Sequence, residues 1–327
     1  MQPLEPIPLE EIIAARDRIA GTALRTPLIR MNVDAAADVY LKLENLQPIG
    51  SFKLRGAGNA LLKLDEEAAR KGVYTASAGN MAQGLAWIAA KLGIACQVIV
   101  PEQAPQTKLD AIERLGAGII KVPFDEWWQV IVTHRYPGLD ARFIHPVSDP
   151  DVIAGNATIG LEILEDLASV TTVLVPSGGG GLSCGIASAL RAMRPAAPAP
   201  APAPVQVYAC EGETAAPLAA AWQRGEPVEI DRTPSFVDGI GGKSVLEEMW
   251  PLAKTLLAGS FVTSLERIAD AVRLLVERNH VVAEGAGAVP VAVALSGAAG
   301  TGTIVCVVSG GNIDPAKLVT ILRGEIP

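Results

Sequence analysis

Aromatic side chains are scarce in this chain: five Phe, five Trp and four Tyr make up 4% of its 327 residues. A chain of that length supports about two domains and a sizeable core. Half of its residues are apolar, so Ala, Val, Leu and Ile must build the interior. Cysteine is rarer still. Cys96, Cys184, Cys210 and Cys306 are too few for a disulfide scaffold and form no CxxC pair. The three scattered histidines, His134, His145 and His280, show no zinc-ligand spacing. Long basic runs are missing, and 27 Lys+Arg against 35 Asp+Glu leave a formal net charge of −8. That balance argues against a broad footprint for nucleic acid and against binding to an anionic membrane surface.

The N-terminal stretch MQPLEPIPLEEIIAARDRIAG is acidic and amphipathic, without the basic start and apolar core of a signal peptide. Residues 285–313 carry no charged side chain, yet Gly285, Gly287, Pro290, Gly297, Gly300 and Gly302 break the run. It reads as a short helix, a loop and a buried strand, not a membrane span. The expectation is a soluble, cytoplasmic protein with no nucleic-acid and no membrane partner. Nucleotide fingerprints are absent as well: no GxGxxG follows a strand, and no Lys-Ser/Thr follows the glycines of a Walker A loop.

What is present is alternation. VYLKLE (39–44), GVYTAS (72–77), ACQVIVP (95–101), GIIKVP (118–123), TTVLVP (171–176), VQVYAC (205–210) and GTIVCVV (302–308) read as strands. Most precede a helical stretch: about 51–64, a helix through Trp87 to Leu92, 105–115 and 182–193. Continuous Val and Ile runs, each followed by a helix, indicate parallel sheets covered on both faces. Residues 195–204, PAAPAPAPAP, read as an Ala/Pro-rich extended surface loop.

Four strand ends carry the candidate chemistry. Pro-Ser-Gly-Gly-Gly-Gly (176–181) between a strand and a helix frees backbone N–H groups for an anion at the helix's positive end. Gly50-Ser-Phe-Lys-Leu-Arg-Gly (50–56) puts Lys53 in the first turn of a helix, where the dipole and desolvation lower an amine's pKa and make it a nucleophile. Thr75-Ala-Ser-Ala-Gly-Asn-Met (75–81) opens another helix with small residues suited to a carboxylate. Val308-Ser-Gly-Gly-Asn (308–312) brings Ser309 to the same crevice beyond the strand ends. Each motif alone has an ordinary reading as a packing turn or helix cap. Four on one fold do not.

LENLQPIGSFKLRGA, SAGNMAQGLAW, PSGGGGL and SGGN resemble the fold-type II pyridoxal-phosphate enzymes, and within them the threonine/serine dehydratase and serine racemase branch. The likeness runs from Thr26-Pro-Leu to Asp314. It implies an α/β, two-domain, open parallel-sheet fold of the tryptophan synthase β type. Residues 1–70 with 149–327 would form a large cofactor-binding domain, and 71–148 a small substrate-binding domain. With little chain after Asp314, no C-terminal regulatory domain is expected.

The resemblance also assigns roles. Lys53 would form the Schiff base with pyridoxal 5′-phosphate and remove the substrate's α-proton. Phe52 would pack on the cofactor ring, Asn80 would bond its ring hydroxyl, and Gly178, Gly179, Gly180 and Gly181 would hold its phosphate. Gly239 would lie against the cofactor, with Ser309 at the pyridine nitrogen. Ser77, Ala78, Gly79, Asn80 and Met81 would wrap the substrate carboxylate. A divalent or monovalent cation is implied at Glu211 and the Ala215 carbonyl, although Pro217 replaces the aspartate of the racemases and Glu213 is the nearest substitute. A homodimer is implied too.

A neutral serine opposite the ring nitrogen does not hold a proton there, which favours rapid loss of a β-substituent. The expected reaction is β-elimination from a β-hydroxy amino acid of the threonine/serine type, giving a 2-keto acid and ammonia. Ala78 stands where the racemases carry a serine, so racemisation should be poor. Met81 replaces the usual histidine, and Asn156-Ala157-Thr158 the usual Gln-Gly-Thr. Phe124, Trp127 and Trp128 either pack the small domain or open a roomier pocket for a substrate such as phenylserine. β-Replacement of the cysteine-synthase kind is a further alternative, but its Thr-Ser-Gly-Asn-Thr-Gly loop is not matched. His145 reads as a packed, hydrogen-bonded histidine, Arg135 as a surface residue, Cys184 as core, and Glu284 as a wall residue of the crevice.

Overall fold

The computed structural model describes residues 2–195 and 203–327. Most of the expected Ala/Pro loop, residues 196–202, lies outside the described residues. The strands are, in chain order, β1 (Leu28–Arg30), β2 (Asp38–Leu43), β3 (Val73–Ala76), β4 (Cys96–Pro101), β5 (Gly118–Val122), β6 (Arg142–Phe143), β7 (Thr172–Pro176), β8 (Gln206–Gly212), β9 (Gly259–Thr263) and β10 (Thr303–Val308). Six form one sheet in the order β1-β2-β10-β7-β8-β9, and four form a second in the order β5-β4-β3-β6. Every pairing is parallel except that of β1 with β2.

Sequence pattern explains this arrangement. β7 and β3 are buried along their whole length, as expected of Val-rich strands with helices on both faces. The helix after Gly50 runs Lys53–Leu62, two residues shorter at each end than the sequence suggests. The uncharged stretch resolves into the Gly285–Leu295 helix and β10, and no described helix is long and apolar enough to cross a membrane.

Strand order then places the chemistry. From β7 the six-stranded sheet grows through β8 and β9 to one side, while β10 and β2 lie on the other. From β3 the four-stranded sheet grows through β4 and β5, with β6 on the opposite side. Chain connections diverge at such switch points and leave a crevice beyond the carboxyl ends of the strands. The loops at these points are 177–180 and 309–312 on one sheet, and 77–79 and 144–148 on the other. The sheets meet through two helices, Lys53–Leu62 and Asn80–Leu92. They pack so closely that a Cβ on Gly84 would lie 3.3 Å from the Lys53 carbonyl.

Candidate active site

Lys53 is the first residue of its helix. Gly50 turns the chain into it at φ +72°, and a Cβ there would strike Asn312 Oδ1 at 2.6 Å. Phe52 donates its backbone N–H to the Ser309 carbonyl at 2.9 Å, tying this segment to the loop after β10. The Lys53 amine donates to the Pro146 carbonyl at 2.7 Å and lies 5.1 Å from the centre of the Phe52 ring. Burial pushes the amine down to about 8, and the Glu284 charge resists that shift.

The glycine loop after β7 faces the same place. A Cβ on Gly179 would sit 2.5 Å from Val147 Cγ1, and one on Gly181 only 2.4 Å from the Val147 carbonyl oxygen. Only glycine fits against that segment. Gly180 adopts φ +91° at the start of the Gly181–Met193 helix, which no side chain caps. Its first-turn amides therefore lack a side-chain acceptor, the arrangement that receives anions. The Ser177 hydroxyl is buried without a hydrogen-bond partner.

Across the crevice, Asn80 opens the Asn80–Leu92 helix after Gly79. Its Nδ2 donates to Glu284 Oε1 at 2.8 Å, and its Oδ1 accepts from Asn312 Nδ2 at 2.9 Å. Ser77 Oγ accepts from the Gly79 amide at 3.1 Å. Ala78 adds no polar atom, and Met81 is buried. Burial pushes the Glu284 carboxyl up to about 7, helped by Asp238 and opposed by the Asn80 hydrogen bond, Lys108 and Lys53. Gly239 lies against this carboxylate: a Cβ there would be 3.2 Å from Glu284 Oε1. Ser309 is buried at the end of β10.

Glu211 lies near the end of β8 and Ala215 in the turn that follows, but the Glu211 carboxylate is already engaged. It accepts from the Leu218 and Ala219 amides at 2.9 and 2.8 Å and from Ser260 Oγ at 2.7 Å, capping the Pro217–Arg224 helix. Glu213 accepts from the Leu265 amide. Among the described residues no group of three or more His, Cys, Asp or Glu could hold a metal ion. Trp127 and Trp128, on the Phe124–Thr133 helix, are half-buried and pack against the main apolar cluster. His145 is buried, its Nε2 on the Ile131 carbonyl and its Nδ1 accepting from the Val147 and Ser148 amides. Arg135 is exposed and Cys184 lies in the core.

A set of buried charges was not anticipated. Arg55, two residues beyond Lys53, binds Glu44 through Nε and Nη2 at 2.8 Å each and Glu162 through Nη1 at 2.6 Å. Lys42 donates to Glu162 Oε2 at 2.6 Å and to the Thr26 carbonyl at 2.7 Å. All four side chains are at most 5% exposed. Two cations balance two carboxylates beneath the helix that bears Lys53. A signal did exist in VYLKLE, whose Lys42 and Glu44 interrupt a strand that is otherwise apolar and central.

The residues fit pyridoxal phosphate: a desolvated amine, a glycine cradle that any Cβ would fill, and an uncapped helix start beside a buried, unpartnered hydroxyl. Parallel sheets that set such an amine against an anion-binding loop define the fold-type II class of pyridoxal-phosphate enzymes. Comparison with known proteins agrees. The family described as pyridoxal-phosphate dependent enzymes matches residues 19–310, and the chain belongs to it. It is 40% identical over 323 residues to the L-threonine ammonia-lyase of Thermotoga maritima, covering 97% of this chain and 78% of that protein. It is 36% identical over 325 residues to the catabolic L-threonine dehydratase TdcB of Escherichia coli, covering 97% and 96%. Maize serine racemase superposes with a TM-score of 0.87 at 30% identity over 98% of each chain. The fold, the family and the cofactor expected from the sequence are borne out.

Proposed function

We propose that the chain removes water from L-threonine, and from L-serine, by β-elimination, and that water then hydrolyses the resulting enamine to a 2-keto acid and ammonia. The observation that carries this reading is the half-buried Lys53 amine held on the Pro146 carbonyl, next to the Val147 that fills the glycine loop, with burial pushing the amine down to about 8. The 34–40% identity to proteins named for threonine supports the substrate. Gly178, Gly179, Gly180 and Gly181 would hold the cofactor phosphate on the helix start, Phe52 and Gly239 would pack against the cofactor, and Asn80 and Ser309 would bond its hydroxyl and ring nitrogen. When bound, the cofactor draws electrons from the substrate's α-carbon. Lys53 Nζ takes the α-proton, and an amine near neutrality is suited to that transfer. Ser77, Ala78, Gly79, Asn80 and Met81 orient the substrate carboxylate. Ala78 supplies no group to return a proton from the opposite face, so elimination outruns racemisation.

Residues 1–70 with 149–327 act as the cofactor lobe and 71–148 as the substrate lobe in this reading, and the working form is a cytoplasmic homodimer. A cation at Glu211 and Ala215 competes with the helix cap that Glu211 makes. The packing of Trp127 and Trp128 into the apolar cluster favours small substrates over phenylserine. The test is keto-acid release with pyridoxal phosphate from L-threonine, L-serine, threo-phenylserine and 3-hydroxyaspartate, beside a Lys53→Ala control. Release from L-threonine that disappears in the control is expected. Release from none of the four overturns the proposal.

A further inference from the structure

Glu284 begins the Gly285–Leu295 helix, where a carboxylate ordinarily accepts from its own first-turn amides. It makes no such bond. Its side chain turns into the crevice and accepts from Asn80 Nδ2. A Cβ on Gly239 or on Gly310 would lie 3.2 or 2.6 Å from its Oε1, so both glycines are spaces that this carboxylate needs. Its backbone N–H donates to the Gly310 carbonyl at 3.0 Å, and the residue is 7% exposed. Loops from both sheets thus close on one acid. Charged groups face it from each side: Lys53, Lys108 on the Gln106–Arg114 helix, and Asp238 beside Gly239. Asp238 is itself paired with Lys108 at 3.0 Å and with Lys317 at 3.5 Å.

We propose that Glu284 is a positioning residue of the cofactor site, fixing the direction of the Asn80 amide. The inference rests on Lys53 and Asn80 being the cofactor residues of the proposed function. Asn80 cannot turn over, because Asn312 donates to its oxygen while Glu284 accepts from its nitrogen. One N–H of Nδ2 is left for a ligand. The Glu284 charge also acts on Lys53, against the effect of burial there.

Glu284→Gln keeps an acceptor for Asn80, whereas Glu284→Ala removes it. In the full chain stripped of cofactor, pyridoxal phosphate binding, read by Trp fluorescence, should weaken roughly tenfold in Glu284→Ala and little in Glu284→Gln. Equal affinity in the two variants refutes the role at Asn80. Binding needs no turnover, so the expected pattern without keto-acid release would overturn the proposed function and leave this inference standing.

Discussion

Arg55→Met tests whether the buried charges beneath Lys53 hold the site together. Methionine approximates the volume but leaves Glu44 and Glu162 with Lys42 as the remaining cation, and Lys42 touches only Glu162. Breaking a buried pair by removing one partner costs about 3–5 kcal/mol, because a charge stays buried without compensation. With an unfolding entropy of about 2.1 cal/mol/K per residue and 327 residues, that loss lowers the melting temperature by about 4–7 °C. The loss has a pH signature. Burial pushes the Glu44 carboxyl up, but the Arg55 charge and hydrogen bonds outweigh it and hold Glu44 below its ordinary 4.5. Its folded value lies below its unfolded one, so in the wild type Glu44 adds stability above about 4.5 that is lost as pH falls. In Arg55→Met burial acts with little opposition, the folded value rises above the unfolded one, and stability increases as pH falls through it. The gap between the two proteins should therefore widen from mildly acidic to neutral pH. Calorimetry of the cofactor-free chain across that range measures it, free of ligand linkage. Arg30→Ala is the control, since Arg30 and Asp38 are 69% and 57% exposed and such pairs contribute at most about 1 kcal/mol. A gap no larger than the control's, or one flat with pH, refutes the reasoning.

Gly181→Ala should push Val147 away from the glycine loop, since its Cβ would meet the Val147 carbonyl at 2.4 Å. Overpacking of this kind costs about 1–3 kcal/mol, so equilibrium dialysis should show roughly fivefold or more weaker pyridoxal phosphate binding. Gly58→Ala, whose Cβ makes ordinary contacts from 3.5 Å, should bind normally. Burial, with the neighbouring His134 charge, pushes His145 down from 6.5 to about 3. The unfolded chain binds that proton first, so the contribution is complete above about 6.5 and is lost as pH falls towards 3. Urea unfolding at a series of pH values should show a shallower acid slope in His145→Gln than in the wild type, and equal slopes would contradict this.

The parts of this fold legible in the sequence are those that the backbone dictates locally. Gly178–Gly181 and the Ser309–Asn312 turn announce themselves because glycines after Val-rich strands have few other uses, and Lys53 stands out at a helix start that disfavours cations. β6 was not legible: two residues, Arg142 and Phe143, show no alternation and earn their strand pairing from β3. Pro146 contributes only a carbonyl, which no side-chain pattern reveals. Arg55 and Glu162 lie 107 residues apart, and Asn80 and Glu284 204 apart, so their pairing exists only once both sheets are assembled. Glu284 could be placed at the crevice wall, but its partner could not be read.

The peptide between Pro146 and Val147 touches two things at once. Its carbonyl holds the Lys53 amine, and the residue after it fills the space that Gly179 and Gly181 leave open. This peptide hangs from β6, at the margin of the four-stranded sheet. One edge of the smaller sheet therefore reaches both the Lys53 amine and the glycine loop through a single peptide. A substitution that displaces this peptide is felt at both places at once, so the two cannot be altered independently from that side unless the Pro146–Val147 segment is rebuilt as well.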